Sequence, residues 1–119
     1  MLLNAIIAKL KKGSIDNVVA FSDTDIIPEM PYVVVKPERG AIENTRQYRI
    51  IVHHNRGMLD ELETYAMKEI DQLLPGHIDF AGSRYKLYKG GYTDITAEPQ
   101  GNTYFFERIF YVPLAGYNH

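Results

Sequence analysis

Four histidines, His53, His54, His77 and His119, are by type the residues best suited to hold a metal ion, and their spacing argues against it. Neighbours on a strand point to opposite faces, so the adjacent His53 and His54 cannot share one ion. His77 and His119 have no ligand partner at helical spacing. Among the carboxylates, Asp60, Glu61 and Glu63 fall in a helical stretch and Asp79, Asp94 and Glu98 in β-type sequence. Two-metal hydrolysis needs acids converging at a strand end beside a lysine, and no Glu-x-Lys follows Asp79 or Asp94. Ser14, Ser22 and Ser83 lie outside any G-x-S-x-G turn, and Lys89-Gly90-Gly91 lacks the rest of a phosphate-binding loop. The chain has no cysteine, which removes disulfides, thiolate metal sites and thiol nucleophiles. We therefore expect no catalytic, cofactor-binding or metal-ligating residue, and no enzyme.

The residues that remain are suited to contact. Arg46, Arg49, Arg84, Lys86 and Lys89 interleave with Tyr48, Tyr85 and Tyr88, a mixture able to stack bases and neutralise phosphates, and equally one enriched at protein interfaces. Thirteen basic against fifteen acidic residues leave a net charge of −2, so no global positive field draws nucleic acid, and the protein-interface reading is favoured. Ile26, Ile27 and Met30 form an apolar cluster inside the acidic segment Ser22 to Pro31; such a cluster either tucks under the domain or docks on a partner.

These side chains need a scaffold, and 119 residues supply one domain, 1–119. Leu3, Ile6, Ile7 and Leu10 recur at helical intervals, with lysines in the last turn and Gly13 after it, so Leu2 to Lys12 reads as a helix. Its lysines follow the apolar run, the reverse of a secretory signal, and no stretch approaches the roughly 20 apolar residues of a membrane span. Val18 to Phe21 is a short β-type run. Tyr32 to Lys36, flanked by Pro31 and Pro37, reads as a strand, followed by a polar turn, Glu38 to Asn44. From Thr45 to His54 the pattern alternates, with Tyr48, Ile50, Val52 and His54 on one face and Gln47, Arg49, Ile51 and His53 on the other. A hairpin joins the two.

Leu59, Leu62, Ala66, Ile70 and Leu73 place a second helix over Met58 to Leu74, ended by Pro75-Gly76. Strands follow near Arg84 to Lys89, Tyr92 to Ala97 and Thr103 to Pro113, with Gly90-Gly91 either a hairpin turn or a bulge in one long strand. The expected fold is α+β, in the order α-β-β-α-β-β-β. It has a mostly antiparallel sheet of four to five strands and two helices packed on one face. In the last strand Tyr104, Phe106, Phe110 and Val112 lie on one side and Phe105, Ile109 and Tyr111 on the other. Strands apolar on both sides belong to sheets covered on both sides. Two helices cover one face, so a neighbouring subunit or partner is expected on the other, unless the termini or the 22–31 loop fold back over it. Ile26, Ile27, Met30, Phe105, Ile109, Tyr111, Tyr85 and Tyr88 are the candidate interface residues.

This order of elements resembles the tail terminator and tail-completion (head–tail joining) proteins of long-tailed bacteriophages. The resemblance rests on the N-terminal amphipathic helix, the Pro-flanked strand paired with a longer one, the central acidic helix and the β-rich tail ending Glu107-Arg108-Ile109-Phe110-Tyr111-Val112-Pro113-Leu114. It covers nearly the whole chain and carries no short motif. It implies a structural virion protein that forms a ring, usually hexameric, caps the tail tube and docks to the head connector. Its place would be the tail–neck junction of the virion, after assembly in the host cytoplasm. The partners implied are further copies of itself, the tube protein and the connector, with DNA passing without specific binding and no membrane. An acidic balance suits such a conduit, since fixed positive charge retains phosphates. Asp23, Asp25, Glu29, Glu38 and Glu43, all placed in loops, would face the channel or the tube; the plainer reading is that they are solvated loop charges. The alternative function is a small non-enzymatic α+β module of the cell that binds a protein or ligand.

Overall fold

The computed structural model describes residues 2–13, 15, 17–23, 29–39, 45–55, 60–61, 65, 70, 76–92, 96–97 and 103–113. Helix α1 spans Leu2–Leu10 and buries Leu3, Ile6 and Leu10, the stripe that the three- and four-residue spacing dictates. Gly13 N closes it by donating to Leu10 O at 3.0 Å. Seven strands follow among the described residues: β1 (Val18–Ala20), β2 (Tyr32–Arg39), β3 (Thr45–Asn55), β4 (Gly76–Phe80), β5 (Ser83–Tyr92), β6 (Thr96–Ala97) and β7 (Thr103–Pro113). A single 3₁₀ turn, Phe21–Asp23, leaves β1.

Six of these strands form one sheet in the order β1-β2-β3-β7-β5-β4, and β6 pairs beside β7. All pairs are antiparallel except β1 with β2, which run parallel with Val18 opposite Val33. The two outermost strands, β1 and β4, both touch α1, so the sheet curls around the helix.

This arrangement overturns the expected fold class. The described residues are mostly strand, 65%, with one helix and a curled mixed sheet of six strands in line, in place of two helices on an antiparallel sheet of four to five. Two features of the strands account for the difference. β4 is short and has one inward residue, Ile78, so its period was too brief to stand out. The parallel pairing of β1 leaves no local mark in a three-residue run. The second helix, Met58 to Leu74, lies outside the described residues except for Asp60, Glu61, Tyr65 and Ile70; these four have helical backbones, and Tyr65 and Ile70 are buried in the core.

Boundaries also moved. β2 runs through Pro37 to Arg39, so Glu38 is a strand residue rather than a turn residue. β1 covers only Val33 to Val35, which leaves the rest of β2 an edge, where strands accept proline. Gly90-Gly91 is a bulge: Lys89 opposes Phe110 and Tyr92 opposes Arg108, three steps against two. A Cβ on Gly90 would meet Tyr111 Cε2 at 2.6 Å and the Ile109 carbonyl oxygen at 3.0 Å. Gly90→Ala is therefore expected to destabilise by about 1–3 kcal/mol, read by chemical denaturation.

β4 and β5 join through Ala81-Gly82, with φ of 52° and 79°, the geometry of a tight hairpin turn with positive φ at both positions. Alanine is strained in that region by roughly 1 kcal/mol. Ala81→Asn is expected to raise stability by about 0.5–1 kcal/mol, read as a higher denaturation midpoint at unchanged slope.

Candidate interface on the outer face of the sheet

Alternation along the strands sorts the side chains into two faces. The inner face carries the core: Val33 and Val35 of β2, Tyr48, Ile50 and Val52 of β3, and Phe106, Phe110 and Val112 of β7, gathered with Leu3, Ile6 and Leu10 of α1. Burial raises the Tyr48 hydroxyl above the usual phenol value, against a lowering contribution from Arg46. His54 also lies inward, 6% exposed, with Nε2 2.9 Å from Glu61 Oε2.

The outer face is built in rows by the strand register. At one end Tyr32, His53 and Phe105 stand side by side. Their rings stack, 4.7 Å from Tyr32 to His53 and 6.0 Å from His53 to Phe105. Next come Val34, Ile51 and Glu107, then Lys36, Arg49 and Ile109, and at the far end Glu38, Gln47, Tyr111 and Tyr88. Most of these side chains are half-buried within the chain, Val34 is buried, and Tyr88 is 46% exposed.

One charged group organises the centre. Arg49 Nε donates to Glu38 Oε1 at 2.7 Å, and Arg49 Nη1 donates to Glu107 Oε2. The partners are diagonal neighbours across two strand pairs, within reach of long side chains. Gln47 Nε2 adds a bond to Glu38 at 3.3 Å. Burial alone would raise the Glu38 carboxyl, but the hydrogen bonds from Arg49 and Gln47 and the charges of Arg49 and Lys36 outweigh it and hold the group below its usual value. The same bond to Glu38 raises Arg49, outweighing its partial burial, with Glu107 adding to it. The face is thus part aromatic, part ionic and laterally locked, with Glu107, a charged interruption in the apolar run of β7, tied to Arg49 of β3.

Of the candidate interface residues, Phe105, Ile109, Tyr111 and Tyr88 share this face. Tyr85 does not; it packs against the core from the inner side, one register step out of phase with Tyr88. Met30 is half-buried beside Pro31, while Ile26 and Ile27 lie outside the described residues. Among the acids, Asp25 and Glu43 lie outside them too. Glu29 is exposed and its carbonyl accepts from Asn17 Nδ2 at 3.2 Å; Asp23 ends the 3₁₀ turn; Glu38 is committed to Arg49 on a strand. Arg49, named from the sequence among the residues suited to contact, does lie on this face, whereas Tyr32, His53 and Lys36 were missed as members of the surface. For His53 the signal was present, since the alternation of β3 puts it on the face of Ile51.

Among the described residues no group of His, Asp and Glu is placed to hold a metal ion, and no helix is long and apolar enough to cross a membrane. The chemistry this surface offers is adhesion through rings, aliphatic side chains and paired charges. No protein-family model matches the chain, and no curated protein is significantly similar to it.

Proposed function

We propose that this chain is a structural assembly subunit that works as one member of a homo-oligomeric ring, capping a phage tail tube and joining it to the head connector. The observation that carries the reading is the outer face, where Phe105, Ile109, Tyr111 and Tyr88 align across β7 and β5 beside the Tyr32–His53 stack. Aromatic and aliphatic side chains gathered on one face around a central cluster of charges already paired within the chain suit burial against a second protein surface. Closed rings use heterologous contacts, which require two different surfaces on each subunit. A curled sheet supplies a broad outer face and two separate edges. The resemblance in element order supplies the specific assembly, and the tube protein and connector are the partners it proposes.

Negative-stain microscopy of the concentrated protein tests this. Closed rings with a central hole are the expected result, together with portal, capsid and tail-tube genes beside this one. Compact particles without a hole, in a gene neighbourhood lacking virion genes, would remove the proposal.

A further inference from the structure

The interleaved arginines and tyrosines of the sequence are divided by the fold. Arg49 and Tyr88 go to the outer face, while Arg46, Tyr48 and Tyr85 go to the inner side, near the end where β2 finishes and β3 begins. There Arg46 stands directly opposite Arg39 of β2, with Val112 of β7 on its other side. Its diagonal neighbours are Pro37 and Phe110, the residues paired with Tyr48. Arg49 finds a carboxylate on each diagonal and Arg84 is engaged by Asp79, but no carboxylate among the described residues pairs with Arg39 or Arg46. Glu38, next to Arg39 in the chain, lies on the outer face and is held by Arg49 and Gln47.

The ladder brings the two arginines close. Val33 N donates away from β3, to Asn17 O at 2.8 Å, and Arg39 lies in the same phase of β2. Arg39 and Arg46 therefore form a pair without ladder bonds of its own, the kind in which opposed side chains stand closest. Like charges so placed destabilise a strand pair. Both side chains are exposed. Behind them, burial governs the Tyr48 hydroxyl, and Arg46 and Tyr85 are both near enough to act on it. A guanidinium presents parallel N–H donors that match two oxygens of a phosphate, and a phosphate between two guanidinium groups turns their repulsion into attraction. We propose that Arg39 and Arg46 form a binding site for a phosphate group at this end of the β2–β3 ladder, supplied either as the free ion or as a phosphodiester of a nucleic-acid strand. The site goes beyond the assembly reading and does not depend on it. The net charge of −2 does not oppose it, because charges more than about 10 Å away are largely screened at ordinary salt.

Inorganic phosphate is the first probe. It should raise the denaturation midpoint above that in chloride at equal ionic strength, and do so saturably, as a ligand of the native state does. Calorimetric titration should show Arg39→Gln and Arg46→Gln each weakening phosphate binding about tenfold, the effect of losing one charged hydrogen-bonding partner. Circular dichroism checks that the variants fold. In chloride, Arg39→Gln should be at least as stable as the wild type, because it removes a repulsion; a clear loss of stability there would overturn the inference. Stabilisation by phosphate that persists in the double glutamine variant is a bulk salt effect and overturns it too. Replacing both arginines by lysine keeps the charge and removes the fork, so binding should still weaken severalfold; undiminished binding means a diffuse field in place of a site. A fluorescent single-stranded oligonucleotide separates the two sources. Tighter binding of the strand than of the free ion, reversed by added phosphate, assigns a phosphodiester, and binding of the ion without the strand assigns a small anion; either outcome supports the site. Failure of inorganic phosphate both to bind and to compete overturns it, whatever the strand does.

Discussion

Phe106→Ala is expected to cost about 3–5 kcal/mol of unfolding free energy, a large part of what a domain of this size has to lose. Phe106 is fully buried on β7, opposite Val52 of β3, in the cluster that joins the sheet to Ile6 and Leu10 of α1. Its removal leaves a cavity that neighbouring strands cannot close, because their register is fixed along eleven residue pairs. Phe105→Ala, one residue away on the outer face, should cost the isolated subunit only about 1 kcal/mol, since that ring is half-buried and loses mainly its stack on His53. Urea unfolding of both variants at dilute concentration checks the pair. Equal costs would mean that the two faces are not core and surface as assigned.

Arg49→Met should cost about 2–3 kcal/mol at neutral pH, by leaving Glu38 and Glu107 facing one another without their shared cation. The figure lies below the full penalty for a buried charge because the three side chains keep 20–27% of their exposure. Acid narrows the difference. In the wild type the Glu38 carboxyl is held below its ordinary value of 4.5, so its contribution is fully present above that pH and is lost as pH falls through the depressed value. In the methionine variant protonation instead relieves carboxylate repulsion, so the gap between the two proteins should narrow below about pH 4.5. Adding Glu38→Gln and Glu107→Gln to the variant should recover part of the loss at neutral pH. Unfolding curves at pH 7 and in acid decide it; a gap that stays constant with pH would show that the cluster carries no such linkage.

The legible parts of this fold were those whose period is long. β3 and β7 each run for eleven residues, and alternation over that length leaves little freedom about which side chains face inward. The N-terminal helix was equally plain from its apolar stripe. Sheet order was not legible, because nothing local tells β7 to insert between β3 and β5 or β1 to run parallel to β2. Tyr85 and Tyr88 show the same limit at the level of the site. Three residues apart on a strand they must face opposite ways, yet without the register there was no telling which one the core would take. Arg49 illustrates the reverse case: its face was read correctly, but the two acids it binds come from β2 and β7, and only the pairing of all three strands brings them together.

The two faces therefore do different work in this account: the inner one holds α1 inside the curl, and the outer one is held ready for a neighbour. Light scattering across a wide concentration range tests that division most directly, on the wild type and on Ile109→Lys with Tyr111→Lys. The account predicts a defined oligomer for the wild type and a folded monomer for the double variant, both lysines being placed on the outer face away from the core. A wild type that remains a monomer throughout, or a double variant that assembles as the wild type does, would contradict it.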